Sequence, residues 1–297
     1  MKKNSVAVLL SSYNGEKYIN EQIQSIFRQK DVDVFLFVRD DGSTDGTISI
    51  LDKLKEKYKM KIYCEKNIGY AKSFWRLMNY ADNFDYYCFC DQDDIWLEDK
   101  LSAAINKIEQ EKSSNGEPIL YTSRVIAVNN NKEIISDNVF NTCRPLNVYE
   151  SFQKSKFPGC VFVFNKSAKN ILIKYNGYME SHDWAAYCII SVFGKTIYDN
   201  NSFIYYRIHE NNTIGKKNIF FEIYNKINRF FHRSKCSRSR FAIDFCKYYK
   251  DDIPSIYLHD IYQLAYYKLL MKKKIGLLFN KKFKGFVFKL YVLLNKV

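Results

Sequence analysis

The chain has 297 residues, with 46 Lys and Arg against 32 Asp and Glu, for a formal charge of +14. That length suits one large domain or one domain with an appendage, and 47% apolar residues with 11 Gly and 4 Pro exclude disordered and collagen-like chains. The charge is uneven: residues 216–297 hold 19 Lys and Arg against five acidic residues, whereas residues 1–215 hold 27 of each sign.

The first apolar run, Val6–Leu10 behind Met1-Lys2-Lys3, stops at Ser11-Ser12-Tyr13-Asn14-Gly15 with no small-residue cleavage site. A buried first strand over Val6–Ser11 is therefore expected rather than a signal peptide. A helix follows over Tyr18–Gln29, where Ile19, Ile23, Ile26 and Phe27 recur at helical spacing. The alternation continues with strand at Val34–Val38, helix at Thr44–Tyr58, strand at Lys61–Cys64, helix at Ala71–Ala81, strand at Tyr86–Cys90 and helix at Leu97–Glu111. It predicts an α/β fold, a mostly parallel sheet with helices on both faces. Ligands of such sheets bind at the carboxyl ends of the strands. Beyond Ile119 the pattern changes to strands at Leu120–Val128 and Phe157–Phe164, helices at Lys166–Tyr175 and His182–Val192, and strands near Thr196–Tyr198 and Phe203–Ile208. Past residue 216 the chain reads as helical and basic, so the expected division is a principal domain over 1–215 and a helical region over 216–297. Eight cysteines form no CxxC pair and mostly sit inside apolar runs. The expectation is a reducing compartment with neither disulfides nor structural zinc.

Four loops that follow predicted strands carry the polar side chains: Ser11–Glu16, Arg39–Thr47, Glu65–Tyr70 and Asp91–Trp96. In Asp41-Gly42-Ser43-Thr44-Asp45-Gly46, the Asx and Ser residues suit a turn and a helix cap. That reading accounts for Ser43 and Asp45. It accounts less well for adjacent Asp40 and Asp41, or for Asp91, Asp93 and Asp94 within four residues. Clustered carboxylates repel unless protons or a cation compensate, which points to a hard divalent ion with oxygen ligands. Short Asp-x-Asp stretches also occur in plain loops, so spacing by itself leaves both readings open.

Taken in order, together with Phe157-Pro158-Gly159-Cys160, His182-Asp183-Trp184 and the run Tyr206–Gly215, these loops resemble family 2 of the nucleotide-sugar glycosyltransferases, which share the GT-A fold. The likeness spans residues 4–215, and its last element looks most like bacterial rhamnosyltransferases. By that resemblance Ser11, Tyr13 and Asp41 would hold the nucleoside, with Asn67 and Gly69 in the same pocket, Asp91 on the ribose side, and Gln92 and Arg207 within the donor site. Asp93 would bind Mn²⁺ or Mg²⁺ bridging the donor diphosphate, and His209 would close over the diphosphate or the metal. Asp183 would be the catalytic base, with His182 and Trp184 on the acceptor side. Two positions depart from the pattern: Ala185 stands where many relatives have a second aromatic residue, and Ile208 where a polar residue is common.

Elementary chemistry is consistent with those roles. A sugar leaving a nucleoside diphosphate needs charge neutralised on the departing phosphate, which a Lewis-acidic cation supplies and Arg207 or His209 would support. A hydroxyl acceptor needs a carboxylate to take its proton, an effect of roughly 10²–10⁴-fold. One base opposite the leaving group implies a single displacement with inversion. Each residue also has a plainer reading. Asp183 suits a helix cap, His209 a satisfied structural histidine, Trp96 and Trp184 core packing, and His182 a loop-positioning residue. The rival classes are a sugar-nucleotide pyrophosphorylase, whose Gly-rich basic first loop Ser11–Glu16 does not match, and a non-catalytic nucleotide-sugar-binding or scaffold protein, against which intact Asp93 and Asp183 argue.

For the basic region, large apolar residues interleave with lysines from Ile275 to Leu294, and Lys281, Lys282, Lys284 and Lys289 interrupt the run too often for a bilayer-spanning helix. An amphipathic helix at an anionic membrane surface fits; an ordinary helical subdomain with basic solvated faces is the alternative. No nucleic-acid motif is present. The resulting expectation is a cytoplasmic enzyme, peripheral at the inner face of a bacterial membrane. It would move a sugar from dTDP-L-rhamnose or a UDP-hexose to a lipid-linked cell-surface glycan.

Overall fold

The computed structural model describes residues 3–114, 116–208 and 236–297. Strand β1 (Asn4–Ser12) lies inside the sheet, and Val6 through Leu10 are wholly buried. A continuous apolar run of this kind suits a strand covered on both faces. β1 pairs in parallel with β2 (Val32–Asp40) and with β4 (Tyr86–Cys90), and β2 pairs in parallel with β3 (Met60–Cys64). The intervening helices are α1 (Ile19–Phe27), α2 (Thr47–Lys55) and α3 (Tyr70–Tyr80). Register carries this half of the fold toward function. Ser12 pairs with Asp40, Asp40 with Cys64, and Leu10 with Cys90, so all four polar loops leave the same edge of the sheet.

The second half supplies β5 (Ile95–Trp96), α4 (Lys100–Glu111), β6 (Ile119–Val128), β7 (Ile134–Ser136), α5 (Val148–Gln153), β8 (Val163–Asn165), α6 (Lys166–Leu172), α7 (His182–Phe193) and β9 (Lys195–Arg207). The strand order is β3-β2-β1-β4-β8-β6-β9-β5, with β7 on β6. Six of these nine strands run in the direction of β1, and β5, β7 and β8 oppose it. The expected mostly parallel sheet is therefore present, with three antiparallel insertions.

Several boundaries differ from expectation for identifiable reasons. The second helix starts at Thr47, because the Asp45 carboxylate accepts the Thr47 amide at 3.1 Å and keeps residues 44–46 in a turn. The expected strand Phe157–Phe164 shrinks to Val163–Asn165. Pro158 has no amide to donate, and Gly159–Val161 form a 3-10 turn. The two strands expected near 196–198 and 203–208 are one strand, β9, whose pairing with β6 shifts register around Ser123–Ile126.

At the other end, α8 (Ser237–Tyr248), α9 (Ser255–Tyr266), α10 (Met271–Phe279) and α11 (Phe286–Leu293) pack on the α5 and α7 side of the molecule. Phe241 is wholly buried between Phe152 and Trp184, with ring centroids 5.7 and 4.7 Å away. The Arg238 guanidinium lies 3.9 Å from the Trp184 ring. Tyr149 donates to Asp260 at 3.0 Å, and Lys282 pairs with the same carboxylate at 2.7 Å. The single amphipathic helix expected over Ile275–Leu294 is instead two short helices. They are broken at Asn280–Gly285, where Gly285 has φ +106°.

Candidate active site

The first two loops are knitted together by short polar side chains. Asp40 ends β2 and turns back on its own loop, accepting from the Gly42 and Ser43 amides and from the Ser12 and Ser43 hydroxyls at 2.6–3.1 Å. The Asn14 side chain accepts the Thr44 amide at 2.8 Å, and Glu16 accepts the Gly46 amide at 2.7 Å. These residues are architectural: their oxygens are spent on the loops. Gln92 couples the fourth loop to the first, accepting the Tyr13 amide at 2.9 Å and donating to the Tyr13 carbonyl at 3.0 Å. A side chain at Gly15 would collide with the Gln92 amide, so glycine there permits the contact.

Asp41 does the equivalent work for the third loop. Its buried carboxylate accepts the Ile68 amide at 2.8 Å and the Gly69 amide at 2.9 Å, and it is paired with the fully buried guanidinium of Arg39. Arg39 in turn donates to the Lys66 carbonyl at 2.8 Å. Gly69 has φ +82° with open space where a side chain would stand, which leaves backbone facing the cavity at the start of α3.

The cavity these loops enclose measures about 600 Å³. Ser11, Tyr13, Asp41, Asn67, Gly69, Asp91, Gln92, Asp93, His182 and Asp183 all line it, which brings together ten of the thirteen residues singled out in the sequence. Tyr206, the first residue of the run Tyr206–Gly215, lines it too, as do Phe140 and Lys156, which no sequence motif marks. Lys156 is the one Lys or Arg among the described lining residues.

Acidity accumulates on one wall. Burial first, then the neighbouring carboxylates of Asp93 and Asp183, pushes the Asp91 carboxyl above its ordinary value. Burial followed by Asp93 and Asp91 does the same to Asp94. One oxygen each of Asp91 and Asp94 and the Cys160 sulfur lie within 4.8 Å of one another, and Asp94 Oδ2 is buried with no hydrogen-bond partner among the described residues. Burial holds the Cys160 thiol well above its ordinary value, so the donors on this wall are carboxylate oxygens rather than a thiolate. Oxygen donors in an electronegative pocket suit Mg²⁺ or Mn²⁺.

Beside this acidic cluster, α7 opens with His182-Asp183-Trp184. Asp183 sits in the first helical turn, where negative charge is favoured, and Oδ1 accepts the adjacent Trp184 amide at 2.7 Å. His182 is buried against Phe74, stacked at 3.9 Å, and edge-on to Phe89 at 4.8 Å. Desolvation pushes its imidazole down to about 4, opposed by the Asp183 charge. Neither ring nitrogen has a hydrogen-bond partner among the described residues. A side chain at Gly159 would run into His182 Nε2, so the 3-10 turn after Pro158 makes room for the ring.

Of the other three expected site residues, Arg207 and Trp184 lie elsewhere. Arg207 does not line the cavity. Its guanidinium pairs with Glu21 at 2.7 Å and donates to the Asp93 carbonyl at 2.9 Å, while its amide donates to Asp94 at 3.2 Å. It therefore braces the Asp91–Asp94 loop from behind. Trp184 is also absent from the cavity wall: it is buried under Arg238 and donates to the Ser151 carbonyl at 2.8 Å, a packing role. Trp96 is likewise buried, with the Lys100 ammonium 3.8 Å from its ring. His209 lies outside the described residues.

Comparison with known proteins places the chain among glycosyltransferases. The chain is 29% identical to the dTDP-rhamnosyl transferase RfbG of Shigella flexneri over 89% of its own length and 95% of the relative's. It is 27% identical to the Escherichia coli UDP-Glc:alpha-D-GlcNAc-diphosphoundecaprenol beta-1,3-glucosyltransferase WfaP over 71% of this chain and 80% of that one. Among solved structures, Staphylococcus aureus TarS in complex with UDP-GlcNAc superposes with a TM-score of 0.58 at 17% identity, covering 93% of this chain and 79% of that one. The mannosyltransferase PcManGT from Pyrobaculum calidifontis, in complex with GDP-Man and Mn²⁺, gives 0.54 at 16% identity, covering 93% and 73%. At those identities the structures speak for the fold, which is GT-A. The family model described as glycosyl transferase family 2 matches residues 7–168, more than half of the chain, and this protein belongs to that family of glycosyltransferases.

Proposed function

We propose that this chain moves a sugar from a nucleoside-diphosphate donor, dTDP-L-rhamnose or a UDP-hexose, to a hydroxyl of a lipid-linked cell-surface glycan, with inversion at the anomeric carbon. The observation that carries this reading is that Asp41, Asn67, Gly69, Asp91 and Asp93 face one cavity with Asp183. Two named relatives supply the donor classes, and the second also acts on a diphosphate-linked lipid.

In this reading the Tyr13 ring and the Asp41–Gly69 wall receive the nucleoside. Asp91, Asp93 and, from outside the described residues, His209 would hold Mn²⁺ or Mg²⁺, which supplies Lewis-acid neutralisation of the diphosphate when bound. Lys156 adds a cation on the cavity wall, where negative charge grows on the departing diphosphate. Asp183 takes the proton of the acceptor hydroxyl as that oxygen bonds to the anomeric carbon. The bond from that carbon to the diphosphate oxygen breaks, and the nucleoside diphosphate leaves with the electron pair. With one carboxylate opposite the leaving group and no covalent sugar–enzyme stage, configuration inverts. His182 is neutral at working pH and cannot serve as a cationic acid there.

A nucleotide-sugar panel with Mn²⁺ or Mg²⁺ tests the proposal. Wild type is expected to turn over one donor class, Asp183→Asn to lose roughly 10²–10⁴-fold, and Asp93→Ala to lose both turnover and its response to added metal. Turnover that ignores both substitutions and a chelator would overturn the mechanism. The one-bond C1–H1 NMR coupling of the transferred sugar, compared with that of the donor, reads the inversion.

A further inference from the structure

A second cavity, of about 510 Å³, adjoins the first, and Tyr70, Ser155 and Ser181 line both. One of its walls comes from the α5–α7 side of the molecule and the other from the C-terminal helices. Among the described residues its charged side chains are Lys154, Arg238, Lys284 and Lys296 against Glu180, and the Val297 carboxyl group, which accepts from the Ser239 hydroxyl at 2.7 Å, lines it too. Glu180 is already paired with Arg238 at 3.0 Å, and Arg238 is fixed over Trp184. Lys154 is exposed and lies 3.8 Å from Glu150, whose carboxylate is occupied by both terminal nitrogens of Arg144 at 2.7 and 2.8 Å. Lys284 is exposed in the turn between α10 and α11. Among the described residues the lining is thus net positive, and Lys154 and Lys284 are its exposed cations.

The surroundings give this charge a direction. At one end Ser181 leads into His182-Asp183 and the first cavity. On the wall made by the C-terminal helices, Val287 belongs both to the cavity lining and to the exposed apolar surface of α11, next to Phe286, which is 83% exposed. A carboxylate base, a cationic hollow and an open apolar face therefore follow one another across the molecule. A sugar hydroxyl, a diphosphate and a hydrocarbon chain follow one another in the same order along a prenyl-diphosphate-linked sugar.

We propose that the cavity between the catalytic fold and the C-terminal helices binds the diphosphate of a prenyl-diphosphate-linked acceptor, with Lys154 and Lys284 as its exposed ligands, the sugar lying toward Asp183 and the chain leaving over Val287 and Phe286. This rests on the reading of the acceptor as lipid-linked. Lys and Arg clustered around a hollow recognise a diphosphate by charge and hydrogen bonding, and the adjoining apolar face removes hydrocarbon from water.

Calorimetric titration of the full chain with farnesyl diphosphate tests the site without any turnover. Wild type is expected to bind it. The double variant Lys154→Glu/Lys284→Glu is expected to weaken binding at least tenfold, and Lys154→Arg/Lys284→Arg to retain it. Lys55→Glu/Lys107→Glu, with the same charge change on α2 and α4, is expected to bind like wild type. A nucleoside diphosphate is expected not to compete, because it occupies the first cavity. The proposal is overturned by farnesol binding as tightly as farnesyl diphosphate, by competition from the nucleoside diphosphate, by equal weakening in both charge-reversal pairs, or by no binding in wild type. It is also overturned if the Lys154/Lys284 pair affects only flotation on phosphatidylglycerol vesicles, which would make the hollow a bilayer headgroup site. A nucleotide-sugar panel without turnover would instead count against the donor chemistry, leaving the farnesyl diphosphate result to be judged independently.

Discussion

At the scale of single residues, His182 and Asp183 show how one helix start separates two neighbours with opposite fates. Asp183 faces the cavity from the first turn of α7, where the helix dipole favours its charge. His182 is packed against Phe74 and Phe89, and burial pushes its imidazole down to about 4. The unfolded chain takes up a proton near the ordinary histidine value of 6.5, whereas the folded chain resists until about 4. Between those values the unfolded state binds more protons, so this residue makes stability fall as pH falls. From pH 7 to pH 5 the loss amounts to about 2 kcal/mol. Replacing His182 by Leu removes that component. Urea unfolding of both proteins at the two pH values should show wild-type stability falling, relative to His182→Leu, by about that amount. A pH-independent difference between the two would contradict the buried neutral imidazole.

At the scale of elements, β9 decides which side chains reach the site. Strand side chains alternate between faces, so Tyr206 on the cavity wall leaves Arg207 on the other face, with Glu21 and the Asp93 carbonyl. Replacing Arg207 with Ala deprives the Asp91–Asp94 loop of this brace and leaves Glu21 with Lys132 as its cation. The expected cost is about 2 kcal/mol in unfolding free energy, with a raised KM for donor and little change in acceptor KM. Unchanged donor KM would deny Arg207 its bracing role. The same alternation explains what the sequence made legible. Regular strand–helix repetition over the first 110 residues predicted the parallel half, because each strand is a self-contained apolar run. The polar residues after those strands were readable as a site because parallel register sends every such loop to one edge. Ile95-Trp96 was too short for any periodicity to reveal a strand, and the polar stretch Asp199–Ser202 read as a break where the strand in fact continues through a shift in register. Phe140 and Lys156 join the cavity only through tertiary packing, with no local pattern to mark them. By contrast, the capping box that starts α5, Asn147 with Glu150, was present in the sequence as an Asn-x-x-Glu signature and simply precedes a very short helix.

For the whole molecule, the segregation of charge acquires a surface to act on. Among the described residues no helix is long and apolar enough to cross a membrane. Yet the C-terminal helices use Leu277, Phe283, Phe288 and Val292 for the core while leaving Met271, Ile275, Phe279, Phe286, Val287 and Leu293 at least half exposed. Lysines at 272, 273, 274, 281, 284 and 289 surround these residues. Scattered exposed apolar residues are ordinary, but a concentration of them within one basic region is the composition of an interfacial surface. Each lysine near an anionic leaflet contributes about 1 kcal/mol, a share that salt screens. Each phenylalanine transferred from water adds about 1.5–3 kcal/mol, a share that salt does not reduce. The two contributions are therefore separable in one experiment. The protein should float with vesicles containing phosphatidylglycerol and remain behind with neutral vesicles, and 0.5 M NaCl should release most of it. Phe279→Ser/Phe286→Ser should weaken flotation at least tenfold at low salt while preserving nucleotide binding. Equal absence from both floated fractions would sink the membrane reading. Flotation that ignores the two phenylalanines but follows the lysines would reduce the contact to electrostatics, with the helices resting on the headgroups rather than inserting among them.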